Sequence, residues 1–304
     1  MQIEEIGMKL FKNRHLTDSQ FSYALCTPMF LYLGIVLLFP VFWGISLSFT
    51  DKSIGADPNF IGLRNYIELL QNPKFLYSLT MTLSYTFISV LFKLLFGLCM
   101  ALVLNNEFKG RNIARAALII PWTLPNIVAV LNWRWIFSDT GGIANYLLKS
   151  IGFINKDLIW LGDEKLAFVA ILVVNIWRGA PFFGLSILAK LQTIPSDLYE
   201  AASIDGAGVI RRFFSITLPS ILDVMILASL VSSIWTLNEF ESVWLLTGGG
   251  PSSATEIIGV YSYKTAMTSL MIGKGVSISI LAAPILIVLI MFASRFMFAK
   301  NDSN

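Results

Sequence analysis

The chain is 304 residues long, with 56% hydrophobic residues, 13% charged residues and a formal net charge of +3. Soluble domains carry roughly 25% charged residues, so this chain cannot give itself an ordinary water-facing surface. A soluble globular enzyme, a disordered chain and a nucleic-acid binder are set aside, and the small net charge implies no electrostatic partner.

Residues 1–22 form an N-terminal segment in which Ile3, Ile6 and Leu10 share a helical face beside Lys9, Lys12 and Arg14. A helix lying on a membrane surface and a frayed cytosolic tail fit it about equally. From 23 to 300 the chain reads as one membrane domain. A bilayer-crossing helix needs about 20 mainly apolar residues. Six windows meet that length: 24–48, 77–104, 113–136, 166–189, 222–246 and 276–298. The first continues to Phe49 with no small-residue cleavage site before Asp51, so it is not a cleaved signal peptide. The third is interrupted by Pro121, Pro125 and Arg134. The predicted fold is therefore an all-α membrane protein of six transmembrane helices. Lys and Arg are denser in the segments on the N-terminal side, which include Lys109, Arg111, Arg115, Lys190, Arg211 and Arg212. That bias places both termini in the cytosol.

Chemistry-bearing residues are few. The single histidine, His15, argues against a histidine-based catalytic or metal centre. Cys26 and Cys99 lie in apolar runs and are expected to be small buried hydrophobes. Lys93, Arg134, Arg178, Asp223, Glu239 and Glu241 fall in or near the membrane windows. A charge at membrane depth costs at least ~2.5–3.5 kcal/mol, so it lines a protein interior or a watery path unless it snorkels from a helix end. Snorkelling suits Lys93, Arg134 and Asp223 as well as a buried role does. It suits Arg178, in mid-window, and the Glu239/Glu241 region less well.

Between the fourth and fifth windows lies a loop at about 190–220. Ser196 or Asp197 is placed to cap a short helix after Pro195. Ala201, Ala202 and Ala207 allow close approach of another surface, and Gly206 and Gly208 break the helix. A second amphipathic segment from Val209 carries Phe213 and Phe214 towards Pro219. By composition alone this is a helical hairpin at the membrane surface. Its residues Glu200, Ala201, Ala202, Asp205, Gly206, Ala207, Phe213, Ile216, Leu218 and Pro219 resemble the E-A-A…D-G-A…F…I-x-L-P loop of binding-protein-dependent ABC importers. The resemblance implies a coupling helix that docks in a cleft of an ATPase subunit. Asp223 stands where many relatives have proline, a departure that bears on how the chain enters the fifth helix.

Two further stretches are similar to carbohydrate importers. Phe60-Ile61-Gly62-Leu63-Arg64-Asn65-Tyr66 resembles an external F-x-G-L-x-N-Y segment. Leu246-Thr247-Gly248-Gly249-Gly250-Pro251 with Thr255 resembles the L-T-G-G-G-P-x-x-x-T loop of the maltose-importer type of first permease. The likeness implies the six-helix type I importer fold, with a cargo cavity lined by the fourth and fifth core helices. On matching positions it implies a substrate pathway of Asn175, Arg178, Gly179, Phe182, Ser232, Trp235, Thr236, Asn238 and Glu239. Helical spacing places Asn175 with Arg178, and Ser232 with Trp235 and Thr236, on shared faces. Polar groups beside apolar rings suit a saccharide, although polar residues also serve as glue between membrane helices. Arg178 departs from the maltose relatives, which are apolar there. Its guanidinium points either to an acidic saccharide, such as an oligouronate or sugar phosphate, or to an internal pair with Glu239 or Glu241.

No phosphate-cradling G-x-x-x-x-G-K-[ST] string is present; Gly273-Lys274 is followed by Gly275. Glu239 and Glu241, two residues apart on a helix, would diverge rather than act as an acid/base pair. The resemblance therefore implies a permease subunit that is not itself an enzyme and binds no cofactor. ATP and Mg would be bound by two partner ATPase subunits. A second homologous permease, an extracytoplasmic solute-binding protein and a carbohydrate substrate complete the expected partners, in a bacterial cytoplasmic membrane. Two other readings are an ion-coupled secondary transporter, which would call for internal repeats, and a scaffold or channel without an energy source.

Overall fold

The computed structural model describes residues 18–301. The expected amphipathic face of Ile3, Ile6 and Leu10, and His15, lie outside them. Among the described residues there is no strand, only an isolated bridge between Thr50 and Phe60.

Among the described residues, five helices are long and apolar enough to cross a bilayer, and a bent pair supplies a sixth crossing by length and composition. The first, Leu25–Ser48, starts within α1 (Asp18–Leu33), passes a π turn at Gly34–Leu38 and ends with α2 (Phe39–Ser48). It is peripheral and is fastened at its end. Ser48 O accepts from Asn65 Nδ2 at 2.9 Å and from Ser277 Oγ at 3.0 Å. Asn65 also donates to Thr50 O at 2.9 Å, so this buried amide knits the Phe60–Tyr66 segment to the end of the first span, to which the last span is tied by Ser277.

The centre is formed by α4 (Pro73–Asn105) and α8 (Glu164–Leu191); a short α3 (Arg64–Leu70) precedes α4. Asn72 and Asp163 cap the two long helices: Asn72 Oδ1 accepts from Lys74 N at 2.9 Å, and Asp163 Oδ1 accepts from Leu166 N at 2.9 Å. Small residues set the crossing. A Cβ on Gly97 would collide with Phe183 Cβ and come within 2.9 Å of Gly184 N. Without a hydrophobic gain from leaving lipid, close packing of this kind is what holds membrane helices together.

The third window is two helices, α5 (Arg111–Thr123) and α6 (Asn126–Ile136), bent by 97°. Pro125 lacks an amide donor and drives Leu124 to extended backbone (ψ 137°), which ends α5 there. Beyond it a short α7 (Ile143–Ser150) leads to α8.

The fifth window is displaced. After α9 (Ser196–Ile204) and α10 (Val209–Arg212), a π turn at Phe213–Thr217 runs into α11 (Leu218–Leu237). The apolar crossing is therefore Val209–Leu237 rather than 222–246. Asn238 closes it by donating from Nδ2 to Ile234 O at 2.8 Å, and Glu239 opens a new short helix, α12 (Glu241–Thr247), by accepting from Ser242 N at 3.0 Å. α13 (Ile258–Tyr263) and the long α14 (Ile272–Asn301) follow.

Cys26 and Cys99 are exposed on helix faces that this chain leaves uncovered, contrary to expectation. Lipid tails are as apolar as leucine, so an apolar sequence neighbourhood does not imply burial here.

Candidate functional site

α4, α5, α8, α11 and α12 enclose a cavity of about 270 Å³. From α8 it receives Asn175, Arg178, Gly179 and Phe182, which are one helical face, and from α11 it receives Ser232 and Trp235. The Phe182 and Trp235 rings lie 5.0 Å apart, centroid to centroid, and form an aromatic wall across the two helices. Thr236 is buried and is not among the lining residues. Asn238 and Glu239 are not part of the lining: their side chains end one helix and begin the next.

Three lining residues come from elsewhere: Lys93 on α4, Trp122 on α5 and Ser242 on α12. Lys93 does not snorkel. It is 4% exposed and donates from Nζ to Thr236 Oγ1 at 3.0 Å. It lies 12 residues from the end of α4 at Asn105, about 18 Å at 1.5 Å per residue, beyond a lysine's reach. That depth was the signal in the sequence. Trp122 and Ser242 carried none, because the bend after Thr123 and the break before Glu241 bring them in.

Arg178 pairs directly with neither Glu239 nor Glu241. Its Nη1 donates to Asn126 Oδ1 at 2.7 Å, and its Nε is buried with no hydrogen-bond partner. Asn126 in turn donates from Nδ2 to Glu241 Oε2 at 2.7 Å and accepts from Ser242 Oγ at 3.1 Å. A neutral amide thus stands between guanidinium and carboxylate. The ion pairs of the described residues include neither Lys93 nor Arg178. The other membrane-window charges differ: Asp223 meets Lys190 at 3.6 Å, and Arg134 is exposed, donating to Leu245 O at 3.4 Å.

The loop at 190–220 lies at one end of the bundle. Neither Ser196 nor Asp197 caps α9; Pro195 stands at the cap position, and Asp197 acts only as an acid in the first turn. Gly206 ends the helix in the left-handed region at φ +76°, with Gly206 N donating to Ser203 O and Ala207 N to Ala202 O. Glu200, Ala201 and Asp205 face outward, beside an Ile204 that is 87% exposed. Phe213 opens the π turn that enters α11, Leu218 and Pro219 are the first two residues of α11, and Tyr199 OH meets Thr217 Oγ1 at 3.0 Å, pinning the short helix to the turn.

At the other end, the Leu246–Thr255 stretch folds on itself. Gly248 and Gly249 take φ +60° and +83°, and Thr255 donates from Oγ1 to Gly250 O at 2.8 Å. It buries Glu256 completely, with Lys74 at 3.2 Å and Lys264 at 3.3 Å.

Residues 93–301 match the family described as binding-protein-dependent transport system inner membrane component. The chain is 38% identical over 249 residues to the trehalose/maltose transport system permease protein MalF of Thermococcus litoralis, covering 81% of this chain and 83% of that one. It is 36% identical over 267 residues to the sulfoquinovosyl glycerol transport system permease protein SmoG of Agrobacterium fabrum, covering 87% and 86%. In solved structures the same fold occurs in a bacterial ABC transporter involved in import of the acidic polysaccharide alginate, with a TM-score of 0.77, 24% identity and coverage of 90% and 94%.

Proposed function

The chain belongs to the family of binding-protein-dependent transport system inner membrane components, and from that premise we propose that it is the permease subunit of an importer for an acidic saccharide. Its fold is that of the type I ABC importer permeases. The observation that carries the acidic cargo is Arg178: a guanidinium on a cavity wall, held by one neutral amide and with a buried Nε left over. A planar fork of donors matches a carboxylate or phosphate. The aromatic wall of Phe182 and Trp235 suits the apolar face of a sugar ring. Relatives named for trehalose/maltose and sulfoquinovosyl glycerol, and a neighbour in fold that imports alginate, support a saccharide.

The mechanism is alternating access. Two partner ATPases bind ATP with Mg and close, drawing on the outward-facing loop of Glu200, Ala201, Ala202, Asp205, Gly206 and Ala207. The pull reaches α11 through Phe213, Leu218 and Pro219, and the core helices rock so that the cavity opens towards a solute-binding protein. A second, homologous permease completes the pathway, and both termini lie in the cytosol. Affinity purification tests the assembly: absence of a nucleotide-binding subunit and a second permease would refute it. The cargo is tested by Arg178→Leu, which should impair uptake of a charged saccharide more than of a neutral one. An equal fall for both would falsify the acidic reading.

A further inference from the structure

Lys93 enters the cavity from a helix outside the expected lining pair. Its stem lies across Gly179: a Cβ there would come within 2.5 Å of Lys93 Cε and 2.8 Å of Cδ. An ammonium has three donors. Here it has the neutral hydroxyl of Thr236, which is itself committed to Ser232 O at 2.7 Å. The charged groups whose fields reach it are Glu239 and Arg178, and neither is a direct ion-pair partner. The cavity therefore has two cationic walls and no directly paired carboxylate on either.

We infer that Lys93 is a second specificity-determining cation of the cargo site, which together with Arg178 selects saccharides by an anionic group, and that Gly179 is the slot that aims it. The inference rests on the acidic-cargo reading above. The bond to the Thr236 hydroxyl carries charge on the donor alone, whereas a bond to a carboxylate carries opposite charges on both partners, so an entering carboxylate outcompetes the hydroxyl for the ammonium. The two cations differ usefully: one is a compact point charge with rotatable donors, the other a fixed planar fork. The cavity of about 270 Å³ is near the lower end of the usual ~300–1,000 Å³ of ligand sites, in keeping with its being this permease's share of the pathway.

The test compares uptake of a mannuronate trisaccharide with that of maltotriose by cells expressing the intact transporter, with Lys93→Met, Lys93→Arg, Gly179→Ala and Arg178→Leu permeases at matched membrane levels. Lys93→Met should reduce the preference for the acidic probe about tenfold, the equivalent of ~1.4 kcal/mol. Lys93→Arg should retain most of it. Gly179→Ala keeps the lysine but displaces its flexible end, so it should mimic Lys93→Met in part, and it decides the matter if Lys93→Met fails to insert. Equal loss of both probes in Lys93→Met and Gly179→Ala would make Lys93 a packing element and overturn the inference. A preference lost in Arg178→Leu but intact in both Lys93→Met and Gly179→Ala would remove Lys93 alone. A wild type without preference for the acidic probe would remove the acidic reading and this inference with it.

Discussion

Arg178 Nη1 lies 2.7 Å from Asn126 Oδ1, which fastens the middle of α8 to the first turn beyond the 97° bend between α5 and α6. The same amide reaches Glu241 and Ser242 on α12. One neutral side chain thus joins the cavity's guanidinium to two elements that have no other polar link to it among the described hydrogen bonds.

Replacing Asn126 with alanine leaves the buried part of Arg178 without an acceptor. Hydrogen bonds to charged groups contribute about 1.5–3 kcal/mol, so Asn126→Ala should lower the melting temperature of the purified protein measurably. Asn126→Asp should do something different. It supplies Arg178 with a resident carboxylate, and so should weaken acidic-cargo uptake, while it sets a second carboxylate against Glu241 where Nδ2 donated at 2.7 Å. Unchanged melting in Asn126→Ala would show that the tie is idle.

The loop at Gly206 makes a sharper prediction. Proline fixes φ near −65° and has no amide donor, whereas Gly206 sits at +76° and donates to Ser203 O. Gly206→Pro should abolish cargo-stimulated ATPase activity in the reconstituted complex while insertion and helix content are retained. Glu200→Lys, which reverses an exposed charge on the same face, should have the same effect without disturbing the backbone. Stimulation at the wild-type level in both variants would remove the coupling role.

Glu256 offers a test of asymmetry. Its carboxylate is fully buried, whereas the side chains of Lys74 and Lys264 are 49% and 30% exposed. Removing both cations strands a buried charge, for which a loss of about 3–5 kcal/mol is expected. Removing the carboxylate leaves two lysines that can turn towards water. Lys74→Met with Lys264→Met should therefore melt well below Glu256→Gln, and the reverse order would refute the account.

The outer tie between α3 and α14 should respond to acid. A hydrogen bond from Lys274, followed by one from Arg64, holds the Glu68 carboxyl below its ordinary value of 4.5. The folded group titrates below the unfolded one, so its contribution is complete above pH 4.5 and fades as pH falls through the folded value. The effect is small because Glu68 is 41% exposed. Melting curves from pH 7 to pH 3 should show an acid-dependent component that Lys274→Met reduces.

Much of the cavity wall is legible in the amino-acid sequence. Asn175, Arg178, Gly179 and Phe182 recur at helical spacing and do share one wall, as do Ser232 and Trp235. Asn238 and Glu239 follow only from the family resemblance, by position rather than by a shared helical face, and the helix stops at Leu237 before either. Lys93 was visible as a cation deep in the second window, without a partner. Its partner Thr236 is 143 positions away, a separation that no helical period encodes.

The sequence by itself determined the solvent and the parts. A chain with 13% charge and long apolar windows must satisfy its backbone within helices inside lipid, and local rules of capping and turn chemistry follow from neighbouring residues. Only the tertiary structure decided which charges face one another. Pro125 bends one crossing and Glu239 restarts another, and those two breaks bring Trp122 and Ser242 to a cavity between α4, α8 and α11. Charges meet in space rather than along the chain, so the pairing of Lys93 with Thr236 and of Arg178 with Asn126 depended on how the helices cross.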